Sequence, residues 1–228
     1  MTFKHAVLAA LAAGGLCLAL SAGAQTATVT YDNGGEGWDG NAPIDPAGGN
    51  PGANAHFEIE TFGIRQGTET HPAFVGNLTQ SSSITIGLDA IATSITYLGN
   101  EVSRHMIVEF RSSTLAQNGY PYTSVWYNMG VIEAGTQWNH YSVTVAPGSA
   151  TLPAGWGGYG DEDPDTFEPR LPPGVTFADV MASVDSVEFS TFEPGYFYGF
   201  TIFDARFDNL SIERTTSEGI FADGFESP

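Results

Sequence analysis

The sequence is poor in cysteine and in basic residues. Cys17 is its only cysteine and Lys4 its only lysine, and both lie within the first 24 residues. If that segment is removed on export, the rest of the chain has no disulfide, no thiolate metal site and no cysteine redox chemistry. The arginines face 26 acidic residues, and the net charge is -19 at pH 7. Such a charge repels phosphate backbones and anionic lipid, so neither nucleic acid nor a membrane is an expected partner.

Long hydrophobic runs are also missing, apart from one at the start of the chain. Lys4 and His5 precede an apolar run over residues 6–20, and Ala22 and Ala24 place small residues before a cleavage point. This pattern is typical of a secretory signal peptide over residues 1–24, and the apolar run is too short for a stable membrane span. We therefore expect a secreted or cell-surface protein whose mature chain begins at Gln25 and does not insert into a membrane. The pattern leaves the periplasm and the extracellular space open.

Helix signals are scarce as well. The 28 glycines and 13 prolines recur between short segments in which apolar and polar residues alternate, as in antiparallel sheets. The fold class predicted from this pattern is all-β, an antiparallel β-sandwich with one short helix and long loops. One domain over residues 25–213 fits the length, and residues 214–228 are expected to form a flexible tail.

Alternation predicts the individual strands. In residues 56–62, Phe57 and Ile59 share one face while His56, Glu58 and Glu60 share the other. The near-continuous apolar run over residues 106–110 predicts a central, covered strand. Residues 123–129 and 138–145 look like a paired hairpin. The remaining predicted strands cover residues 27–31, 83–88, 93–98, 186–192 and 196–213.

Two long loops and one short helix are predicted between the strands. Residues 32–54 and 147–174 are rich in glycine and proline and are predicted to be loops; a loop as long as the second is usually functional or mobile. Residues 176–182 fit a short helix with Thr176 as its N-cap.

Several motifs, in order, resemble the bacterial relatives of the laminin B (laminin IV) domain. They are Gly35-Glu36-Gly37-Trp38, Gly48-Gly49-Asn50-Pro51-Gly52, His71-Pro72-Ala73-Phe74-Val75-Gly76-Asn77, the pair Trp126 and Trp138, the segment 177–189, and Phe207-Asp208-Asn209-Leu210. The resemblance spans residues 30–213 and implies a galactose-binding-like jelly roll. It also implies an extracellular adhesive or carbohydrate-binding module without catalytic residues. The chain departs from the animal domains in having no cysteines here and in its long acidic loop.

An Asp-Asn pair in the closing strand suggests a structural calcium site. Calcium takes several oxygen ligands from carboxylates and backbone carbonyls. Asp208, together with Asp32 or Glu36 near the opening strand, could supply them. The alternative is that Asp208 and Asn209 cap the strand end by bonding to local backbone.

The acidic loop is a second candidate site. Asp161, Asp163 and Asp165 imitate the start of an EF-hand loop, but Thr166 stands where glycine is required, so an EF-hand is excluded. Trp156 and Tyr159 could instead stack on sugar rings while the Asp161 and Asp163 carboxylates accept hydrogen bonds from hydroxyl groups. The alternative is a solvated acidic loop whose Trp156 tucks into the sandwich.

Catalytic and metal-binding signatures are weak. Glu58 and Glu60 lie on one strand face, and paired carboxylates are required for glycoside hydrolysis, but nothing in the pattern implies a cleft. The sequence has no Gly-x-Ser-x-Gly or His-Glu-x-x-His motif. The histidines outside the signal segment are scattered, without metal-ligand spacing.

The sequence therefore predicts an exported, non-catalytic module for adhesion, glycan binding or extracellular structure, with a glycan or an extracellular matrix component as its partner. One alternative is a secreted hydrolase of polysaccharides that uses Glu58 and Glu60 or the acidic loop. Another is a calcium-stabilised surface or biofilm-matrix component.

Overall fold

The structure, a computed structural model, describes residues 24–216. Within these residues the fold is an antiparallel β-sandwich with one short helix, so the predicted fold class is confirmed. The signal segment up to residue 23 and the tail beyond residue 216 lie outside the described residues, and the predictions made for them stay predictions. No helix in the described part of the chain combines the length and hydrophobicity needed to cross a bilayer.

One sheet, called sheet A, contains seven strands and places the closing strand near its centre. Its strands are β1 Ala24–Val29, β3 Ile44–Gly49, β4 Gly52–Thr61, β6 Ser83–Tyr97, β7 Asn100–Glu101, β10 Asn139–Val145 and β15 Thr201–Thr215. Strand β15 pairs along one side with β6; along the other, its first half pairs with β4 and its second half with β1. The first and the last strand of the described chain, β1 and β15, are therefore hydrogen-bonded to each other.

The second sheet, called sheet B, contains six strands in the order β11-β9-β8-β14-β5-β2. These strands are β2 Asp39–Gly40, β5 Arg65–Thr68, β8 Arg104–Ser112, β9 Thr123–Ile132, β11 Trp156–Tyr159 and β14 Ser186–Ser190. Strand β8 lies in the interior of the sheet, as its apolar run predicted. A separate two-stranded ribbon joins β12 Asp161–Glu162 to β13 Pro169–Arg170.

The core fills the space between the two sheets. Alternation sends Phe57 of β4 and Phe203 and Phe207 of β15 inward from sheet A, and Val108 and Phe110 of β8 inward from sheet B; all are at most 1% exposed. Because side chains alternate along a strand, the residues between them face outward. Packing of the inward side chains in the core fixes the position of each strand, and the strand in turn fixes where its outward polar side chains lie.

The helix was predicted correctly. Helix α1, Phe177–Ala182, begins after the N-cap Thr176, and Thr176 and Asp179 form a reciprocal capping box. This motif satisfies backbone N–H groups that the first turn leaves without partners. Phe177, Val180 and Met181 bury the inner side of the helix.

Several strand predictions were wrong. The two strands predicted over residues 83–98 are one strand, β6, and the predicted loop over residues 32–54 contains β2, β3 and the start of β4. The predicted hairpin over residues 123–145 does not exist, because β9 lies in sheet B and β10 in sheet A. The predicted loop over residues 147–174 contains β11, β12 and β13.

Candidate functional site

The outer face of sheet B carries two glutamates that face each other across neighbouring strands. On β8, Glu109 lies between the core residues Val108 and Phe110, and on β14 Glu188 precedes the core residue Phe189. The strand register places Glu109 directly opposite Glu188. Like charges in such a pair are destabilising, and both residues are at most 3% exposed. The pair therefore needs a cation.

Arg111 supplies that cation. Its Nε and Nη2 donate to Glu109 Oε2 at 2.9 and 2.5 Å, and its Nη1 and Nη2 donate to Glu188 Oε2 and Oε1 at 2.9 Å each. Ser124 Oγ donates to the other oxygen of Glu109 at 2.5 Å, and Arg65 Nη1 donates to Glu188 Oε2 at 3.1 Å. Both carboxylates are thus held in fixed orientations by charge-assisted hydrogen bonds.

The electrostatics of this network are dominated by the two carboxylates. Burial alone would lower the pKa of the Arg111 guanidinium, but the charges of Glu109 and Glu188 outweigh it and raise that pKa above its ordinary value. Burial, followed by the charge of Glu109, raises the pKa of the Tyr122 hydroxyl. Arg111 and Tyr122 are therefore hydrogen-bond donors over the whole physiological pH range.

Aromatic side chains stand around the network. The Cζ atom of Arg111 lies 4.8 Å from the ring centroid of Tyr122, a cation–π contact, and the Tyr159 ring lies 5.3 Å from that of Tyr122. Across the opening, Phe192 and Tyr196 come from the loop between β14 and β15. Tyr196 is 69% exposed.

These residues line an open depression that we call the sheet B cleft. It has a volume of about 510 Å³, and a neighbouring hollow of about 320 Å³ shares Arg65, Arg111 and Glu188 with it. The cleft is lined by Arg65, Glu109, Arg111, Tyr122, Tyr159, Glu188, Phe192, Glu193, Pro194, Gly195 and Tyr196. Its floor offers fixed donors and acceptors, and its walls offer aromatic surface, a combination that binds hydroxyl-rich ligands.

Trp126 extends the same face toward the sheet edge. It lies directly opposite Glu109 on one side and Gly157 of β11 on the other. A Cβ atom at residue 157 would lie 2.2 Å from the indole ring, so glycine is needed there for the ring to lie against the strand. The indole is half-buried and adds a flat apolar surface to the outer face.

The predicted ligand-binding loop is divided between the core and the surface. Trp156 is 8% exposed and packs against Phe110, Tyr127 and Phe177, so the alternative in which it tucks into the sandwich describes the structure. Tyr159 points outward from the same strand and lines the sheet B cleft.

The predicted carboxylates of that loop lie beside the ribbon of β12 and β13. Arg170 forms ion pairs with Asp161 at 2.9 Å and Asp163 at 3.1 Å. Asp163 also accepts backbone hydrogen bonds from Asp165 and Thr166, and these lower the pKa of its carboxyl group. Both side chains are thus engaged in holding the loop, and neither lines the sheet B cleft.

Of the three residues predicted to bind calcium, Asp208 lies in the middle of β15, and Asp32 and Glu36 lie in the turn that follows β1. Burial is the main cause that raises the pKa of the Asp208 carboxyl, and the charges of Asp89 and Asp32 add to it. Asp208 accepts hydrogen bonds from the backbone N–H groups of Asn50 at 2.5 Å and Asn209 at 2.7 Å. Only the bond from Asn209 is local, as the capping alternative expected, because Asn50 is 158 positions away and Asp208 lies inside β15 instead of at a strand end. Glu36 accepts from the backbone of Asn33 at 3.3 Å.

Within residues 24–216, Asp208, Asp32 and Glu36 are not a set of three carboxylates whose oxygens lie within 4.8 Å of one another. The structure places Asp32 near Asp208, and the Asp32 carboxylate accepts from the backbone N–H of Ala53 at 3.1 Å. Glu58 and Glu60, the pair considered for catalysis, are exposed on the outer face of sheet A, on β4.

Sequence reasoning missed the main residues of the cleft. Glu109 and Glu188 carried one available signal, because each is a charged residue between two apolar neighbours in a strand. Their partnership with Arg111 could not be read from the sequence, because Arg111 and Glu188 are separated by 77 positions.

The sequence matches no family model, and a search of curated proteins found no significant match. Among solved structures, the chain is similar to an exo-beta-agarase with 14% identity and a TM-score of 0.42, covering 84% of this chain and 25% of that one. It is similar to a family 30 carbohydrate-binding module with 13% identity and a TM-score of 0.41, covering 84% and 91%. It is also similar to a CBM28 module described as specific for non-crystalline cellulose, with 13% identity, a TM-score of 0.37, and coverage of 82% and 92%. Similarities at this level assign no ligand and no activity to the chain.

Proposed function

We propose that this protein is an exported glycan-binding module and that the sheet B cleft is its binding surface. The observation that carries the proposal is the Glu109–Arg111–Glu188 network on the cleft floor, with Tyr122 against Arg111 and Tyr159 beside Tyr122. Sugars present hydroxyl groups that both donate and accept, together with apolar C–H faces. Fixed carboxylates and guanidinium groups match the first, and aromatic rings match the second.

The charges of the cleft favour a neutral glycan. Arg111 is fully engaged by two carboxylates, and Arg65, which also pairs with Glu188, is 45% exposed in its side chain. The two arginines and two glutamates of the floor thus balance, Glu193 adds a negative charge to the lining, and the chain as a whole carries a net charge of -19. An acidic polysaccharide would be repelled by that field. The signal pattern supports export, and adhesion or an extracellular structural role would follow from glycan binding.

Affinity electrophoresis and calorimetry with a panel of neutral and acidic polysaccharides test the proposal. We expect binding to at least one neutral polysaccharide and about a tenfold loss of affinity in Tyr196→Ala and Tyr159→Ala, since an aromatic contact contributes about 0.5–1.5 kcal/mol beyond the apolar area that it buries. Tyr196 is mostly exposed, so its removal leaves the fold intact.

Tyr97→Ala is the matched control, because Tyr97 is an exposed tyrosine on β6 of the opposite sheet. Equal affinity in Tyr97→Ala and the native protein, with loss in the cleft variants, supports the proposal. Binding that no cleft variant changes would contradict it.

Hydrolysis of polysaccharide is the second candidate, and the pair of carboxylates in an open cleft is what favours it. Hydrolysis needs one carboxyl group as a proton donor, whereas Glu109 and Glu188 both accept hydrogen bonds from Arg111. We therefore infer a binding role for the pair. Turnover of any polysaccharide or chromogenic glycoside that is abolished by Glu188→Gln, Glu109→Gln or Glu58→Gln would establish the enzyme instead.

The calcium site also remains a proposal. It is supported by the proximity of Asp32 and Asp89 to the buried Asp208 carboxylate. A divalent ion would neutralise the negative charges of these three carboxylates. Thermal unfolding with calcium and with a calcium-selective chelator tests it. An unchanged midpoint, or a shift that persists in Asp208→Asn, would contradict a calcium ion at this position.

A further inference from the structure

The outer face of sheet A gathers a histidine and two carboxylates that the sequence does not bring together. His56 and Glu58 are two positions apart on β4 and therefore share a face, and the register places Asp204 of β15 directly opposite Glu58. One ligand atom from each of His56, Glu58 and Asp204 lies within 4.8 Å of the others. The spacing of the histidines gave no sign of this set, because only one histidine belongs to it and Asp204 is 148 positions away from that histidine in the sequence.

The distances within the set suit a single metal ion. His56 Nε2 and Asp204 Oδ1 are 3.0 Å apart. Without an ion this contact is a hydrogen bond. Two ligands in the tetrahedral arrangement of zinc, each bound at about 2.1 Å, are separated by about 3.4 Å, so the two side chains would move apart by about 0.4 Å when an ion replaces their hydrogen bond. Glu58 is exposed and free to turn toward the same point.

A fourth residue is placed where it could orient the histidine once an ion is bound. Asp45 of β3 places Oδ2 3.5 Å from His56 Nδ1, on the opposite side of the ring from Asp204. A metal-binding histidine commonly donates its other ring N–H to a carboxylate, which fixes the tautomer and the ring orientation. Arg206 Nη2 is also 3.5 Å from Nδ1, and it would turn to a neighbouring carboxylate when Nδ1–H faces Asp45.

The local charge is that of a divalent cation site. Asp45, Glu58 and Asp204 contribute three negative charges, and Arg206, with Nη1 3.9 Å from Asp204, is the nearby guanidinium. After the charge of Arg206 is subtracted, the negative charge of two carboxylates is left at the site. Glu58 and Asp204 face each other in the register without a cation between them, an arrangement that costs free energy.

We propose that His56, Glu58 and Asp204 bind a first-row divalent metal ion, with Asp45 as the positioning partner of His56. Zinc suits the donor set, because imidazole nitrogen and carboxylate oxygen are its common ligands, whereas calcium and magnesium take oxygen ligands. A hollow of about 420 Å³, lined by Pro43, Ile44, Asp45, Pro46, His56 and Glu58, opens the site to solvent. The ion would connect β4 to β15 on the face opposite the sheet B cleft.

Isothermal titration of the purified, untagged protein with zinc chloride tests the proposal. We expect one site per chain, at least a hundredfold weaker binding in His56→Ala and in Glu58→Gln, and a loss of about 10–100-fold in Asp45→Asn, the range found for carboxylates that orient a ligand. An excess of calcium or magnesium should not displace the zinc. Cobalt titrated into the same protein should give visible absorption that His56→Ala abolishes.

Two variants are controls for adventitious binding. Glu60→Gln removes an exposed carboxylate from the same strand, and His140→Ala removes an exposed histidine that pairs with Asp89 on β6; both should bind zinc as the native protein does. Glu58 is exposed, so Glu58→Gln gives a result even if His56→Ala fails to fold. Zinc affinity that is equal in Glu58→Gln and the native protein, or the absence of saturable zinc binding, would overturn the proposal.

Discussion

The two outer faces of the sandwich each carry a pair of carboxylates opposed across neighbouring strands. On sheet B the pair is Glu109 and Glu188, and on sheet A it is Glu58 and Asp204. The first pair is buried and shares the Arg111 guanidinium, with contacts of 2.5–2.9 Å. The second pair is more exposed, and its nearby guanidinium, that of Arg206, is 3.9 Å from Asp204.

The difference shows two ways of tolerating the same unfavourable pairing. Burial weakens solvent screening, so the pair on sheet B is compatible with folding only because a cation of the chain lies between the two carboxylates. Exposure and the adjacent His56 make the pair on sheet A tolerable without such a cation. The sheet B network is therefore expected to be part of the folded structure itself, whereas the sheet A set retains capacity for an ion from solution.

The largest effect is expected when the cation that the two buried glutamates share is removed. Arg111→Ala leaves two buried carboxylates opposite each other, and we expect a loss of about 3–5 kcal/mol in the free energy of unfolding, as is typical when one partner of a buried ion pair is deleted. Urea-induced unfolding followed by circular dichroism measures it.

Arg65→Ala is the control for that measurement. Arg65 also contacts Glu188, but its side chain is 45% exposed, and exposed ion pairs contribute about 0–1 kcal/mol. Equal losses in the two variants would mean that Arg111 does not hold the network together.

A smaller effect is expected when one of the buried acids is neutralised. Glu188→Gln loses its charge-assisted hydrogen bonds from Arg111 and Arg65, and we expect about 1.5–3 kcal/mol of destabilisation by the same urea method. A variant as stable as the native protein would show that repulsion between the two glutamates cancels the contribution of the bridging arginine.

Local patterns in the sequence predicted much of the fold. Alternation assigned Phe57 to the core face of β4 and His56 and Glu58 to the opposite face, and the spacing of Thr176 identified the helix cap. The sequence predicts two strands over residues 83–98 where the structure has one, β6, and Asp89 falls in the predicted gap. Asp89 in fact accepts hydrogen bonds from Asn50 and Asn209 within a continuous strand, so a long-range contact overrode the local signal.

The candidate sites were less predictable, because they depend on which strands become neighbours. Tyr159 was singled out from its glycine-rich surroundings and does line the cleft, while Trp156, three positions earlier, enters the core. The assignment of β9 and β10 to different sheets could not be inferred from their adjacency in sequence. The same is true of Asp204 beside His56, since the partners are 148 positions apart.

The smallest predicted effect has the opposite sign and tests the sheet A side of the comparison. In protein stripped of metal with a chelator, Glu58→Gln removes one of two opposed carboxylates, so we expect a gain of about 0.2–1 kcal/mol in the free energy of unfolding. The gain should shrink at high salt, because exposed charges are screened.

Glu60→Gln is the control for this measurement. Glu60 stands opposite the uncharged Ile202, so its substitution should give no such gain. With zinc at saturation the sign should reverse, since the native protein then gains the binding free energy of an ion that Glu58→Gln holds poorly. A destabilised Glu58→Gln in metal-free protein would mean that His56 and Arg206 already neutralise this pair, as Arg111 does on sheet B.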